Sequence, residues 1–288
     1  MKKLVSLDRI IVHGGRSHAD EIIAVMLAEA STHDGKIIPV YRRDPTAEEL
    51  DDNRTLVLDV GGKLDDWAMN FDHHQFDRAH EPECSFSLLA SEIEAYSQLS
   101  AFFTWFDTWR DIDSKGPFFW AKQRGIDWEA VSGLLSPVGD LVHDWWEEAH
   151  DDIPVDEALL VRLQKQGRKI LDAAAKFEEF AWKADALDMP KEVEDIEVFD
   201  FRDFTAKESQ AYGGAYAKAK GVKGGVIVSQ DDRGPGYAFF RREDDPKVDF
   251  SQCAGKPYTG FAHAGGFILK TVDRNVSVCG VISDAKKA

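Results

Sequence analysis

A chain of 288 residues, 43% hydrophobic and 30% charged, has enough apolar material for two ordinary domains or one large α/β domain, and two are expected. Its formal net charge of −17 excludes a protein that coats duplex nucleic acid through a basic stripe. Three widely spaced cysteines, Cys84, Cys253 and Cys279, exclude a disulfide framework and a thiolate zinc site. The start, MKKLVSLDRIIVHGG, is interrupted by Asp8 and Arg9 and does not read as a secretory signal, and no stretch reads as a bilayer span. A soluble protein of the reducing cytoplasm is the expectation.

In chain order, DRIIVHGG is a β-branched run closed by glycines and predicts a strand. ADEIIAVMLAEAS then sets Ile22, Ile23, Met26, Leu27 and Ala30 along one helical face. KIIPVYRR and TLVLDVGG read as second and third strands, with helical material in PTAEELDD between them. Strand alternating with helix predicts a mainly parallel sheet with crossover helices, whose ligands bind at the carboxyl ends of the strands. From SFSLLASEIEAYSQL to about Asp188 the pattern is helical, and DEALLVRLQKQGRKILDAAAKFEEFAWKADAL keeps a 3.6-residue apolar stripe, which predicts one long connecting helix. MPKEVED reads as a linker. IEVFDFRDF, GGVIVSQ and GYAFFRRE then read as strands, and KESQAYGGAYAKAKG as a helix, of a smaller C-terminal α/β unit.

Residues with chemical potential gather at the predicted strand ends. His13, His18 and Asp20 follow the first strand, Asp59 closes the third, and Asp72, His73 and His74 follow a further short hydrophobic segment. Asp107, in FFTWFDTWRDID, follows the apolar run Phe102, Phe103 and Phe106; Asp111 and Asp113 are the alternatives for the same role. Each residue alone has a plainer explanation, because an Asp at a strand end usually caps or turns and a lone His is usually a hydrogen-bonded loop residue. Their recurrence at successive strand ends favours a shared site. Imidazole with carboxylate suits Mn²⁺, Fe²⁺ or Zn²⁺ better than Mg²⁺, and two ions would need one bridging carboxylate, for which Asp59 is the choice.

HGGRSHADE, Arg43-Asp44-Pro45, LVLDVGG and NFDHHQ stand in the order of motifs of the DHH phosphoesterase superfamily. The sequence most resembles its melanocyte-proliferating-gene-product branch, also labelled metal-dependent protein hydrolase, and GFAHAGGFI resembles that branch's late H-A-S-G-F-I segment. Ser17 replaces a usual aromatic residue, and the interval between Asp72 and Asp107 is shorter than in the family.

The resemblance implies a two-domain phosphoesterase: residues 1–150 a DHH-type catalytic domain, 151–190 a connecting helix and linker, and 191–288 a substrate-binding domain. It implies a dinuclear Mn²⁺-type centre held by His13, His18, Asp20, Asp59, His73 and Asp107, with Asp59 bridging. His74 would face the scissile phosphate and Asp72 would orient the site from behind. His263, Ala264, Gly265 and Gly266 would bind substrate through an imidazole and backbone N–H groups, and Arg16 and Arg78 would add positive charge. The implied activity is exonuclease-like hydrolysis of a phosphodiester in a short single-stranded nucleic acid or a linear or cyclic dinucleotide. A pyrophosphatase-like enzyme is the first alternative, disfavoured because only Lys256 and Lys270 flank GFAHAGGF. A non-enzymatic metal- or nucleotide-binding module is the second. No membrane partner is expected, and the sequence sets no oligomeric state.

Overall fold

The computed structural model describes residue 4 and residues 6–32, 35–77, 79–127, 137–150 and 152–287, without the side chains of 137–140. The described residues form a mixed α/β fold with two sheets, and the chain divides into two compact units, Met1–Ala174 and Ala175–Ala288. None of the described helices is long and apolar enough to cross a membrane.

The first unit is built on a five-stranded sheet of order β2-β1-β3-β5-β4, from β1 (Arg9–Val12), β2 (Val40–Arg42), β3 (Thr55–Leu58), β4 (Leu64–Asp65) and β5 (Asn70–Phe71). β2, β1, β3 and β5 run parallel, and β4 joins β5 antiparallel at the edge. Ile10, Ile11, Val12, Leu56, Val57 and Leu58 are all fully buried, as expected for short parallel strands covered on both faces. Helices α1 (Ala19–Ala30) and α2 (Ala47–Leu50) make the crossovers β1 to β2 and β2 to β3. Helices α3 (Ser85–Glu92), α4 (Tyr96–Phe102), α5 (Thr104–Lys115) and α6 (Pro117–Arg124), followed by the helix Pro137–Glu147, complete the helical stretch. Phe86 and Phe106 meet edge-on at 5.0 Å within one core that also holds Trp146.

The expected long helix runs from Glu157 to Ala186. Leu160, Gln164, Gly167, Leu171 and Ala174 fall on its buried stripe at three- and four-residue steps. Gly167 lies against α1 so closely that a Cβ there would stand 2.3 Å from the Met26 carbonyl oxygen and 2.8 Å from Ala30 Cβ.

The second unit carries a six-stranded sheet of order β10-β11-β9-β8-β7-β6, from β6 (Lys191–Val193), β7 (Ile196–Asp200), β8 (Val226–Gln230), β9 (Tyr237–Arg241), β10 (Thr259–Ala262) and β11 (Ile268–Thr271). Only β7 and β8 pair in parallel, joined through the helix Ala206–Ala219; the other neighbours are antiparallel. The segment read as a linker differs from that reading. Lys191–Val193 is an edge strand, turned into β7 by Glu194 and Asp195 at φ 50° and 62°. Two-residue hairpins need such left-handed positions, normally filled by Asn or Gly, so a Glu-Asp pair gives little warning of one.

Two outcomes test this packing. Gly167→Val should destabilise by about 1–3 kcal/mol, the usual cost of forcing atoms into a filled interface; an unchanged melting temperature would contradict the contact. Glu29, fully buried on α1, accepts a hydrogen bond from Ile38 N–H through Oε1, and its other oxygen has no partner among the described residues. Burial pushes its carboxyl up to about 7. Below pH ~4.5 the group is neutral in both folded and unfolded states, and as pH rises towards 7 only the unfolded chain ionises, so stability falls by roughly 3 kcal/mol across that window. Glu29→Gln should remove that fall, so chemical denaturation at pH 4.5 and pH 8 should show the variant gaining on the wild type at the higher pH. A wild-type-minus-variant difference independent of pH would refute the assignment.

Candidate metal centre

Because β1, β3 and β5 are parallel neighbours, their carboxyl ends share one edge of the sheet. His13 follows β1, Asp59 follows β3, and Asp72, His73 and His74 follow β5. Asp59 takes a left-handed backbone conformation, φ 61°, in which a non-glycine residue is strained, and such strain is characteristic of functional positions. The first turn of α1 brings in two more carboxylates. His18 stands at the N-cap with extended backbone, and Asp20 and Glu21 lie where the positive end of the helix favours acids. Asp20 accepts hydrogen bonds from Ser85 and Phe86 N–H, both at 2.9 Å, so it also caps the N-terminus of α3.

These residues form three overlapping groups whose candidate ligand atoms lie within 4.8 Å of one another: His13, His18 and Asp59; Asp59, His73 and His74; and Asp20, His73 and Asp113. Asp59 Oδ2 is 3.4 Å from His13 Nε2, and its Oδ1 is 3.2 Å from His73 Nε2. His73 Nε2 lies 3.1 Å from Asp113 Oδ2 and 3.6 Å from Asp20 Oδ2. The decisive feature is what these atoms lack. Among the described residues, both oxygens of Asp59, Nε2 of His13 and Nε2 of His73 are buried without a hydrogen-bond partner, a costly arrangement for polar atoms unless a cation completes it.

The electrostatics agree. Burial, then the charges of Asp59 and Asp113, push the Asp20 carboxyl well above its ordinary range. The Glu21 carboxylate holds His13 protonated up to about 9. Burial works against a charge on His73, yet Asp113, Asp59 and Asp20 raise it to about 10. Protons thus balance the carboxylates, and one or two divalent ions can take that place with neutral imidazoles as co-ligands. The residues fit a metal centre.

Asp72 sits behind His74. Its Oδ1 is 2.7 Å from His74 Nδ1 and accepts the backbone N–H groups of His73 and His74, while Oδ2 accepts Gly62 N–H at 2.6 Å. Burial opposes its ionisation, but hydrogen bonds, first from the His74 ring, keep the carboxyl at about 2. The His74 side chain is 58% exposed and its pKa is raised by the bond to Asp72, so its Nε2 edge is free to donate outward.

One expected residue is displaced. Asp107 accepts a hydrogen bond from Ser100 Oγ at 2.7 Å and pairs with Arg110, and it lies outside the three groups, where Asp113 stands instead. Asp113 falls seven positions after the fully buried Phe106 and therefore on the same face of α5, whereas Asp107 is turned about 100° from it. Asp111 is occupied by Arg110 and Arg124. Arg16 is exposed in the loop between His13 and His18, and Arg78 lies outside the described residues. His263, Ala264, Gly265 and Gly266 belong to the second unit, in the turn between β10 and β11. There His263 Nδ1 accepts Gly265 N–H at 3.0 Å, and Gly266, at φ 67°, leaves no room for a Cβ beside Asp249.

Glu21 lies within HGGRSHADE but has no role among the expected site residues. It is fully buried; Oε1 accepts Trp146 Nε1–H at 2.8 Å, and Oε2 lies 2.9 Å from His13 Nε2.

Residues 9–91 match the family model MYG1_exonuc. Its description is an uncharacterised protein family (UPF0160). The matched stretch holds every N-terminal motif on which the resemblance to the melanocyte-proliferating-gene-product family was read, and that resemblance is borne out. Comparison with curated proteins gives no match. Among solved structures, the pGpG-specific phosphodiesterase PggH of Vibrio cholerae is similar at 14% identity, over 93% of this chain and 94% of that one, with a TM-score of 0.27, too low to place any residue.

Asp113→Asn should weaken Mn²⁺ binding by about 10-fold or more, and Asp107→Asn should leave it unchanged, when metal-free proteins are titrated by calorimetry. The reverse ranking would restore Asp107 to the centre.

Proposed function

We propose that the chain is a metal-dependent phosphoesterase that hydrolyses a phosphodiester of a short single-stranded nucleic acid or a linear or cyclic dinucleotide. The observation that carries this reading is Asp59: a buried carboxylate with both oxygens unpartnered among the described residues, lying between two groups of His and Asp at the carboxyl edge of a parallel sheet. The exonuclease label of the matching family model supports the substrate class.

In this reading His13, His18 and Asp59 would hold one divalent ion, and Asp20, His73 and Asp113, with Asp59 shared, would hold a second. Mn²⁺ suits the mixed nitrogen and oxygen donors, with Mg²⁺, Fe²⁺ or Zn²⁺ as the other possibilities. Bound ions would supply Lewis-acid polarisation of the phosphoryl group and activation of water. His74, whose pKa the bond to Asp72 raises, donates from Nε2 in its protonated form to the phosphate or leaving oxygen. Asp72 fixes the orientation of that ring through its Nδ1. Arg16 supplies further positive charge to the substrate, and Arg78 is assigned the same part. Residues 1–150 are assigned as the catalytic domain and residues 191–288 as a substrate-binding domain, in which the turn His263–Gly266 offers the imidazole of His263, the N–H groups of Gly265 and Gly266 being bonded within the turn. The cytoplasm suits a chain whose cysteines are all free.

The test is a hydrolysis panel with Mn²⁺ covering pyrophosphate, linear and cyclic dinucleotides, short RNA and short single-stranded DNA. A nucleotide substrate should be cleaved, Asp59→Asn should lower the rate by roughly 100-fold or more, and His74→Ala should lower kcat by about 100-fold with Mn²⁺ affinity retained. Faster turnover of pyrophosphate than of any nucleotide would favour the pyrophosphatase reading, and full activity in Asp59→Asn would remove the bridging role.

A further inference from the structure

The two halves of the centre are unequal in charge. The group of Asp20, His73 and Asp113 has two carboxylates of its own and lies beside Asp59, whereas the group of His13 and His18 has only the shared Asp59. A divalent ion on the histidine-rich side would therefore meet little negative charge from the three residues so far assigned to it.

Glu21 supplies what is missing. Its side chain is fully buried on the first turn of α1, and its two oxygens have different surroundings. Oε1 is occupied: Trp146 Nε1–H donates to it at 2.8 Å, His18 N–H approaches at 3.4 Å, and the buried Arg42 guanidinium lies 3.9 Å away. Oε2 points the other way. It comes within 2.9 Å of His13 Nε2, and among the described residues neither atom has a well-aligned hydrogen bond to any third group. The other ring nitrogen of His13 lies 2.6 Å from Gly14 O, which fixes the proton on Nδ1 and turns Nε2 towards Glu21 and Asp59. A buried carboxylate oxygen and an imidazole nitrogen that converge at 2.9 Å, with a proton between them when no cation is bound, have the geometry of two ligands to one cation.

We propose that Glu21 is a further metal ligand, binding through Oε2 alone to the ion held by His13, His18 and Asp59. The inference rests on the dinuclear reading above. Trp146 and Arg42 hold the Oε1 side so that one oxygen only is presented, and the added charge brings this half closer to the other. Carboxylate in place of a third nitrogen also tilts the site towards Mn²⁺ and away from Zn²⁺.

The experiment is titration of the metal-free, full-length protein with Mn²⁺, reading free ion by electron paramagnetic resonance and heat by calorimetry. Wild type should take up two ions. Glu21→Gln keeps the acceptor for Trp146 and removes the charge, and it should weaken one ion by about 10- to 100-fold while the other binds as in wild type. Glu29→Gln, which removes another buried carboxylate of α1 remote from these groups, should leave both ions unchanged. Circular dichroism checks the fold; if Glu21→Gln does not fold, Glu21→Asp, which keeps the charge on a shorter arm, should weaken the same single ion. Two ions bound at wild-type affinity by the folded variant would overturn the proposal. Equal weakening of both ions would also overturn it, by making Glu21 part of the general scaffold. A wild-type protein that binds no divalent ion removes the metal centre itself, and with it the proposed function.

Discussion

The constraint on which the rest of the first unit depends is the burial of several carboxylates at one sheet edge. Asp20, Glu21, Asp59 and Asp72 are each at most 2% exposed, and an ionised carboxylate out of water requires partners. Two of the four find ordinary ones. Asp72 is surrounded by backbone N–H groups and the His74 ring, and Asp20 takes the first N–H groups of α3. Asp59 finds only histidines on both sides, and Glu21 is satisfied on one oxygen. That residue of unmet polarity, concentrated within a few ångströms, is compatible with a cation site.

The scaffold makes such concentration possible because it is covalently and sterically simple. Three parallel strands end side by side, so three loops start at one place. Helix α1 then does two things at once: its acidic first turn enters the cluster, and its far side packs against the long helix through the close approach at Gly167. Asp20 links that first turn to α3, and α5 brings Asp113 to within 3.1 Å of His73. Each ligand candidate therefore sits at the start of a helix, the end of a strand or on a helix face fixed by a buried aromatic neighbour, and none depends on a long unsupported loop.

The second unit is organised by other means. Its sheet is mostly antiparallel, closed over a core that includes Phe239, Phe250 and Ile282, and its helix Ala206–Ala219 carries the one parallel crossover. Aromatic rings of the long helix's last turns, Phe177 and Phe180, pack within this unit against Tyr212, Phe201 and Phe204. The turn at His263 is shaped by its own hydrogen bonds, with Gly266 required where Asp249 crowds the backbone.

The sequence by itself determined the alternating strands and helices of the first unit, the long amphipathic helix and the strand-end positions of His13, Asp59 and His73, because these follow from local periodicity and from the rule that parallel sheets gather their loops at one edge. It also marked HGGRSHADE and NFDHHQ as belonging together. It did not determine which acid of α5 enters the cluster, since Asp107, Asp111 and Asp113 differ only in helical phase and that phase is set by where Phe106 is buried. Nor did it separate Glu21 from a routine acid at a helix N-terminus, a part that Asp20 also plays in sequence. Only the tertiary structure shows what each acid meets, because Trp146, which bonds Glu21, and His73, which lies beside Asp113, are distant in the chain and come near only once the helices have packed.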